Sequence, residues 1–151
     1  MIHGMDTGFL VAAEVAEHAE HRNARQTLSR LVNAGDRIAI APQVLAEFIH
    51  VVTDPRRFSQ PLEGEVALGI AEQWWTASEV DQVFPNAATV QRFLAWLRQF
   101  SLGRKRLLDT MLAATYFEAG VRSILTVNAA DFGVFAEFDC ITPRAGPIRQ
   151  T

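Results

Sequence analysis

Short apolar segments of strand length alternate along this chain with longer segments of helical period, and this alternation restricts the fold more than any single residue does. The apolar start, residues 1–5, ends at Asp6. The run "RIAIA" at 37–41 is short and apolar with β-branched residues, and 80–84, "SILTV" at 123–127 and 139–142 read as further strands. Helical segments lie between them. Residues 9–16 form one, and 21–33 carry Ala24, Leu28, Leu31 and Val32 at helical spacing before Gly35. Residues 43–53 follow Pro42 and stop at Asp54-Pro55. Residues 62–78 are helical despite Gly64 and Gly69, and 87–102 place Val90, Phe93, Leu94, Leu97 and Phe100 on one side. Residues 105–119 close at Gly120, and 129–135 form a short last helix, with a loosely held tail after Pro143. Strands separated by helices imply βαβ units. The expected fold is α/β: one domain over 1–151, a three-layer α/β/α sandwich with a mostly parallel sheet of four to five strands.

Open parallel sheets bind ligands at the carboxyl ends of their strands. Asp6 lies at the end of the first strand, and Glu47 in the first half of the helix after the second. Asp109 lies one turn into the helix that feeds the 123–127 strand. Such a helix runs antiparallel to its strand and so begins at the same edge. Asp131 follows that strand by four residues. Four carboxylates far apart in sequence thus converge on one edge. Glu47 stands among Leu45, Ala46, Phe48 and Ile49, and Asp109 among Leu107, Leu108, Met111 and Leu112. Acids in apolar surroundings need a partner. A hard cation is one: Mg2+ takes oxygen ligands and binds phosphate at the same time. Two such ions about 4 Å apart would activate a water and stabilise the leaving oxygen of a phosphodiester. Each acid alone also has a plain structural reading. Asp6 and Asp131 suit helix caps, Glu47 a solvated face, and Asp109 an ion pair with Arg106 or Lys105.

Composition removes several other classes. The net charge of -3 argues against indiscriminate nucleic-acid binding but allows a local basic patch. Cys140 is the only cysteine, so neither an internal disulfide nor a cysteine-rich zinc site is available. No segment approaches the ~20 apolar residues of a membrane span, and the start lacks a secretion signal. A soluble, cytoplasmic protein is expected.

The segments "MDTGFL", "APQVLAEF", "RKRLLDTMLAAT" and "TVNAADF" occur in order over nearly the whole chain. Together they resemble the PIN-domain family, in particular the VapC-type ribonuclease toxins of toxin–antitoxin pairs. The resemblance implies a small α/β/α nuclease dependent on Mg2+ or Mn2+, with Asp6, Glu47, Asp109 and Asp131 as its catalytic and metal-binding acids. It offers Thr7, Thr126 and Asn128 as the small polar residues beside them. It further implies an endoribonuclease that leaves a 5′-phosphate, an RNA substrate, a small cognate antitoxin and a homodimer. Gly8 is a departure, since many relatives carry serine there.

Arg104, Lys105 and Arg106 form the one basic cluster, and they precede Asp109, where they would hold RNA phosphates. Arg56 and Arg57 are a second, weaker candidate. Of the histidines, His3 reads as packed and His18 and His21 as loop residues. His50 stands three residues after Glu47 without a second such pair. Early-helix residues Phe9, Leu10, Val11, Leu28, Leu31 and Phe48 are expected to line an apolar groove for the antitoxin, unless the domain's own core absorbs them. Two alternatives stand beside the nuclease. One is a degenerate PIN fold serving as a protein-binding module. The other is a magnesium phosphohydrolase with an aspartyl nucleophile, which Gly8 disfavours because that chemistry wants a second Asp two residues after Asp6. The "WW" pair Trp74–Trp75 has no role in any of these readings.

Overall fold

The structure, a computed structural model, describes residues 1–143. The expected loose tail, 144–151, lies outside the described residues. The alternation becomes β1 (Ile2–Met5), α1 (Thr7–Glu14), α2 (His21–Asn33), β2 (Arg37–Ile40), α3 (Pro42–Val52), α4 (Gly64–Thr76) and β3 (Val80–Gln82). It continues through α5 (Ala87–Gln99), α6 (Leu107–Glu118), β4 (Ser123–Leu125), α7 (Ala130–Gly133) and β5 (Asp139–Ile141). The five strands pair in the order β3-β2-β1-β4-β5, and every pairing is parallel. β1 is therefore the central strand, where the order of connection reverses. That is the place at which an open α/β sheet leaves a crevice.

The central strands are buried almost throughout, as strands covered on both faces must be. α6 lies close against β1. A Cβ on Gly4 would sit 2.6 Å from the Tyr116 ring, so only glycine admits this approach. The Tyr116 hydroxyl then donates to the Met5 carbonyl, fixing α6 along the strand. Asp109, two turns before Tyr116, is thereby carried to the carboxyl end of β1.

Two differences from the expectation bear on the site and its packing. α1 begins at Thr7, not at residue 9, because Asp6 caps it by accepting from the Thr7 N–H. On α5, Val90 and Leu94 are each 45% exposed, whereas Trp96 and Thr89 are buried. Trp96 stacks on Phe135 at 4.7 Å and meets Phe117 and Phe138 edge-on. An aromatic cluster from α6 and the α7–β5 connection sets that face, and the aliphatic period of α5 alone does not contain it.

Phe9, Leu10, Leu28, Leu31 and Phe48 belong to the core. Of these, Leu28 also lines an open cavity, beside Val32 and Trp74 and away from the acids, which corrects the expectation of a groove built by these residues toward Asp6 and Glu47. Trp74 ties α4 to α1 by donating from Nε1 to Glu14 Oε1 at 2.7 Å, and Trp75 stands edge-on to Phe84. His3 is buried at the amino edge of the sheet. It meets Ser123 Oγ through Nδ1 at 2.7 Å and Asp36 Oδ2 through Nε2 at 2.8 Å.

Candidate active site

At the carboxyl ends of β1 and β4, a cleft of about 590 Å3 is lined by Asp6, Glu47, Asp109 and Asp131. Each acid arrives by a different local device. Asp6 is the first residue after β1; its N–H donates to the Leu125 carbonyl, which locks it beside the end of β4. Glu47 is one turn into α3, which Pro42 starts at the edge of β2. Asp109 is in the first turn of α6 and Asp131 in the first turn of α7.

Every residue expected to support the acids touches one. Thr126 Oγ1 donates to Asp6 Oδ2 at 2.9 Å, while the Thr7 N–H donates to Asp6 Oδ1 at 2.9 Å. Thr7 Oγ1 donates to Glu47 Oε2 at 3.2 Å. Asn128 Nδ2 donates to Asp131 Oδ1 at 3.2 Å. Gln43 is a partner of these acids that sequence reasoning misses. Its Nε2 donates both to Glu47 Oε1 and to the Leu108 carbonyl, each at 2.9 Å, and so joins α3 to the start of α6. Its position one helical turn before Glu47 is the signal that would have found it.

Burial pushes the Asp6 carboxyl up to about 7, with the charges of Asp109 and Asp131 adding to the rise and the bonds from Thr126 and Thr7 opposing it. Asp109 is pushed up to about 6, first by burial and then by the charge of Asp131; Arg106 pulls it back. The acids thus sense one another's charge across the cleft. Among the described residues, no three His, Cys, Asp or Glu side chains already stand close enough to hold an ion between them. The donor chemistry nevertheless fits a hard cation. All four ligand candidates are carboxylates that repel one another, and two of them bear raised pKa values, the condition a divalent cation relieves.

Besides the acids and Thr7, the cleft wall is Gly8, Val11, His18, Val51, Arg57, Phe58 and Val127. Of the six residues expected to line an apolar groove, only Val11 reaches it. His18, read as a loop residue, lines the cleft, whereas His50 is exposed and does not. Gly8 is explained by Val127: a Cβ there would lie 2.8 Å from Val127 Cγ2. The basic cluster divides. Arg104 and Lys105 are exposed, and Arg106 turns inward, with Nε 3.7 Å from Asp109 Oδ2. Arg57 lines the cleft while pairing with Asp54 at 3.6 Å; Arg56 pairs with the same acid.

The PIN domain family model matches residues 5–137. Ribonuclease VapC43 of Mycobacterium tuberculosis is 40% identical over 134 residues, covering 89% of this chain and 88% of that protein. Ribonuclease VapC24 of the same species is 28% identical over 141 residues, covering 91% and 96%. Among solved structures, M. tuberculosis VapC20, a sarcin-ricin loop cleaving toxin, superposes with a TM-score of 0.68 at 18% identity over 92% of this chain and 97% of that one. VapBC2 from Rickettsia felis, solved on a DNA fragment from its promoter, gives 0.67 at 20% identity over 94% and 98%. At those identities the structures speak for the fold alone. The parallel sheet order, the cleft at its switch point, the family match over most of the sequence and the 40% identity to VapC43 agree: the chain belongs to the PIN-domain family.

Proposed function

We propose that this protein is a divalent-metal-dependent endoribonuclease and the toxin of a toxin–antitoxin pair. One observation carries the reading. Four carboxylates from four separate elements share a single cleft, and burial and mutual charge hold two of them above the ordinary carboxylate range. Asp6, Glu47, Asp109 and Asp131 would hold Mg2+ or Mn2+, which when bound supplies a deprotonated water and charge stabilisation at the phosphodiester.

The chain's own residues orient these acids. Thr126 and the Thr7 N–H fix Asp6, Gln43 and the Thr7 hydroxyl fix Glu47, and Asn128 fixes Asp131. A carboxylate held through hydrogen bonds presents its remaining lone pairs in a set direction. Arg104 and Lys105, exposed before α6, would hold flanking RNA phosphates, together with Arg57, which lines the cleft.

The partner reading follows from the same cleft. An acidic floor beside Val11, Val51, Phe58 and Val127 suits a basic side chain on an apolar peptide segment, the chemistry expected of an antitoxin's inhibitory end. Phe84, Val90, Leu94, Leu107 and Leu108, exposed on the β3–α5 connection, α5 and the start of α6, are the surface we assign to a homodimer. Action in the cytoplasm belongs to the same reading; no helix among the described residues is long and apolar enough to cross a membrane.

The test is cleavage of a defined RNA with Mg2+, Mn2+ or excess chelator, with the new ends sequenced. Metal-dependent cuts bearing 5′-phosphates support the proposal. Cuts that persist in chelator sink it.

A further inference from the structure

Arg106 stands apart from the rest of the basic cluster. It belongs to the 3-10 turn Arg104–Arg106 that leads into α6, and its N–H donates to the Gly103 carbonyl. The hydroxyl of the fully buried Thr110 donates to the Arg106 carbonyl at 2.6 Å, which pins the turn to the first turn of the helix. From that fixed point the side chain reaches the Asp109 carboxylate and the main chain of Asp131. Nη2 donates to the Asp131 carbonyl, and Nε lies 3.7 Å from Asp109 Oδ2. That Nε is buried and has no hydrogen-bond partner. A buried N–H left without a partner is unfavourable. The guanidinium is therefore held there by the Asp131 carbonyl and the charge of Asp109 rather than by a completed set of bonds.

We propose that Arg106 is an internal counter-cation that competes with a divalent metal for the Asp109–Asp131 side of the cleft. The inference rests on the metal reading above and adds a residue with a definite sign to it. In the ion-free protein Arg106 partly neutralises Asp109 and so opposes metal entry. A phosphate oxygen is the partner its orphaned Nε lacks. RNA arriving in the cleft would draw the guanidinium off the carboxylate and leave that carboxylate to the metal. Arg106 is thus a positioning residue that makes metal affinity depend on the presence of substrate. A merely structural arginine would have the opposite effect: its loss would loosen the turn and weaken metal binding.

The sign is measurable without any turnover. Mn2+ is titrated into wild type, Arg106→Gln and Arg106→Lys at about pH 8 without RNA, and free Mn2+ is followed by electron paramagnetic resonance. Arg106→Gln should bind Mn2+ about tenfold more tightly, the scale expected for removing one charge near a divalent ion in partly watery surroundings. Arg106→Lys should remain near wild type, because it keeps the charge. Far-ultraviolet dichroism and thermal unfolding confirm that each variant is folded. Equal or weaker Mn2+ binding by folded Arg106→Gln overturns the counter-cation role and leaves the metal site standing. Absence of Mn2+ binding in all three proteins overturns the metal reading and this inference with it.

Discussion

Thr126 donates its hydroxyl proton to Asp6 Oδ2 across 2.9 Å, although 120 positions separate the two residues. The bond spans the ends of the neighbouring strands β1 and β4 and holds the most buried acid of the cleft. Removing it with Thr126→Val should leave the shape of the site and take away one of the two bonds that hold the Asp6 carboxylate ionised. We expect a loss of about 1–3 kcal/mol in stability at alkaline pH, and divalent-metal binding displaced to higher pH. Chemical denaturation and metal titration at several pH values measure both. Metal binding with an unchanged pH midpoint would show that the bond does not govern Asp6.

Asp6→Asn and Asp109→Asn should each reduce RNA cleavage by more than about a hundredfold while leaving the fold intact. In the absence of metal, Asp6→Asn should also melt at a higher temperature than wild type near pH 8, because a buried charge and its repulsion by Asp109 and Asp131 are gone. Cleavage by Asp6→Asn at wild-type rate removes Asp6 from the mechanism.

The pH dependence of the ion-free protein has a definite sign. Asp6 and Asp109 titrate near 7 and 6 in the folded state, above the ordinary 3.8. Groups raised in this way favour the folded state most below their unfolded pKa, and that advantage is lost as pH rises through 6 and 7. Asp36, lowered chiefly by its bond to His3, and Asp54, lowered chiefly by the Arg56 N–H, act in the opposite sense at more acid pH. Thermal stability in chelator should therefore fall between about pH 4 and pH 7 and level off above that, with each acid contributing a slope of at most roughly 1.4 kcal/mol per pH unit. Added Mg2+ should reverse the fall at the alkaline end. A flat profile in chelator would contradict the raised acids.

Gly8 and Val127 form a testable pair. Gly8→Ser adds a Cβ 2.8 Å from Val127 Cγ2 and should cost about 1 kcal/mol as the valine is displaced. Val127→Ala should recover most of that cost in the double variant, read from denaturant midpoints in a double-mutant cycle. Strictly additive effects would place the strain elsewhere.

Replacing the exposed pair Arg104 and Lys105 with Ser should weaken RNA binding evenly across sequences and lower its salt slope by about 1–2. Binding titrations from low to moderate salt read the slope. An unchanged slope would move the phosphate contacts to Arg57, which lines the cleft.

What the sequence determined by itself was the order of the elements, their types and the edge on which the acids meet. These follow from period and punctuation. Residues 21–33 have a helical stripe and a glycine stop, and the structure returns α2 as His21–Asn33. Asp6, Glu47, Asp109 and Asp131 each stand at a fixed offset from a strand end, and in a parallel sheet that offset decides the edge. Local chemistry of this kind does not depend on what packs against it. The tertiary structure decided which apolar residues the core would take and where charged side chains turn. Phe9, Leu28 and Phe48 carry the same apolar signal whether they line a groove or fill the core, and only the helices packed over them bury them. Arg104, Lys105 and Arg106 read as one basic run, yet a 3-10 turn pinned by Thr110 sends Arg106 inward, while its two neighbours stay exposed. Gln43 reaches Glu47 by helical spacing, but its bond to the Leu108 carbonyl exists only because α3 and α6 meet at that edge. Period is a property of one segment, and burial and side-chain direction are properties of what lies opposite it.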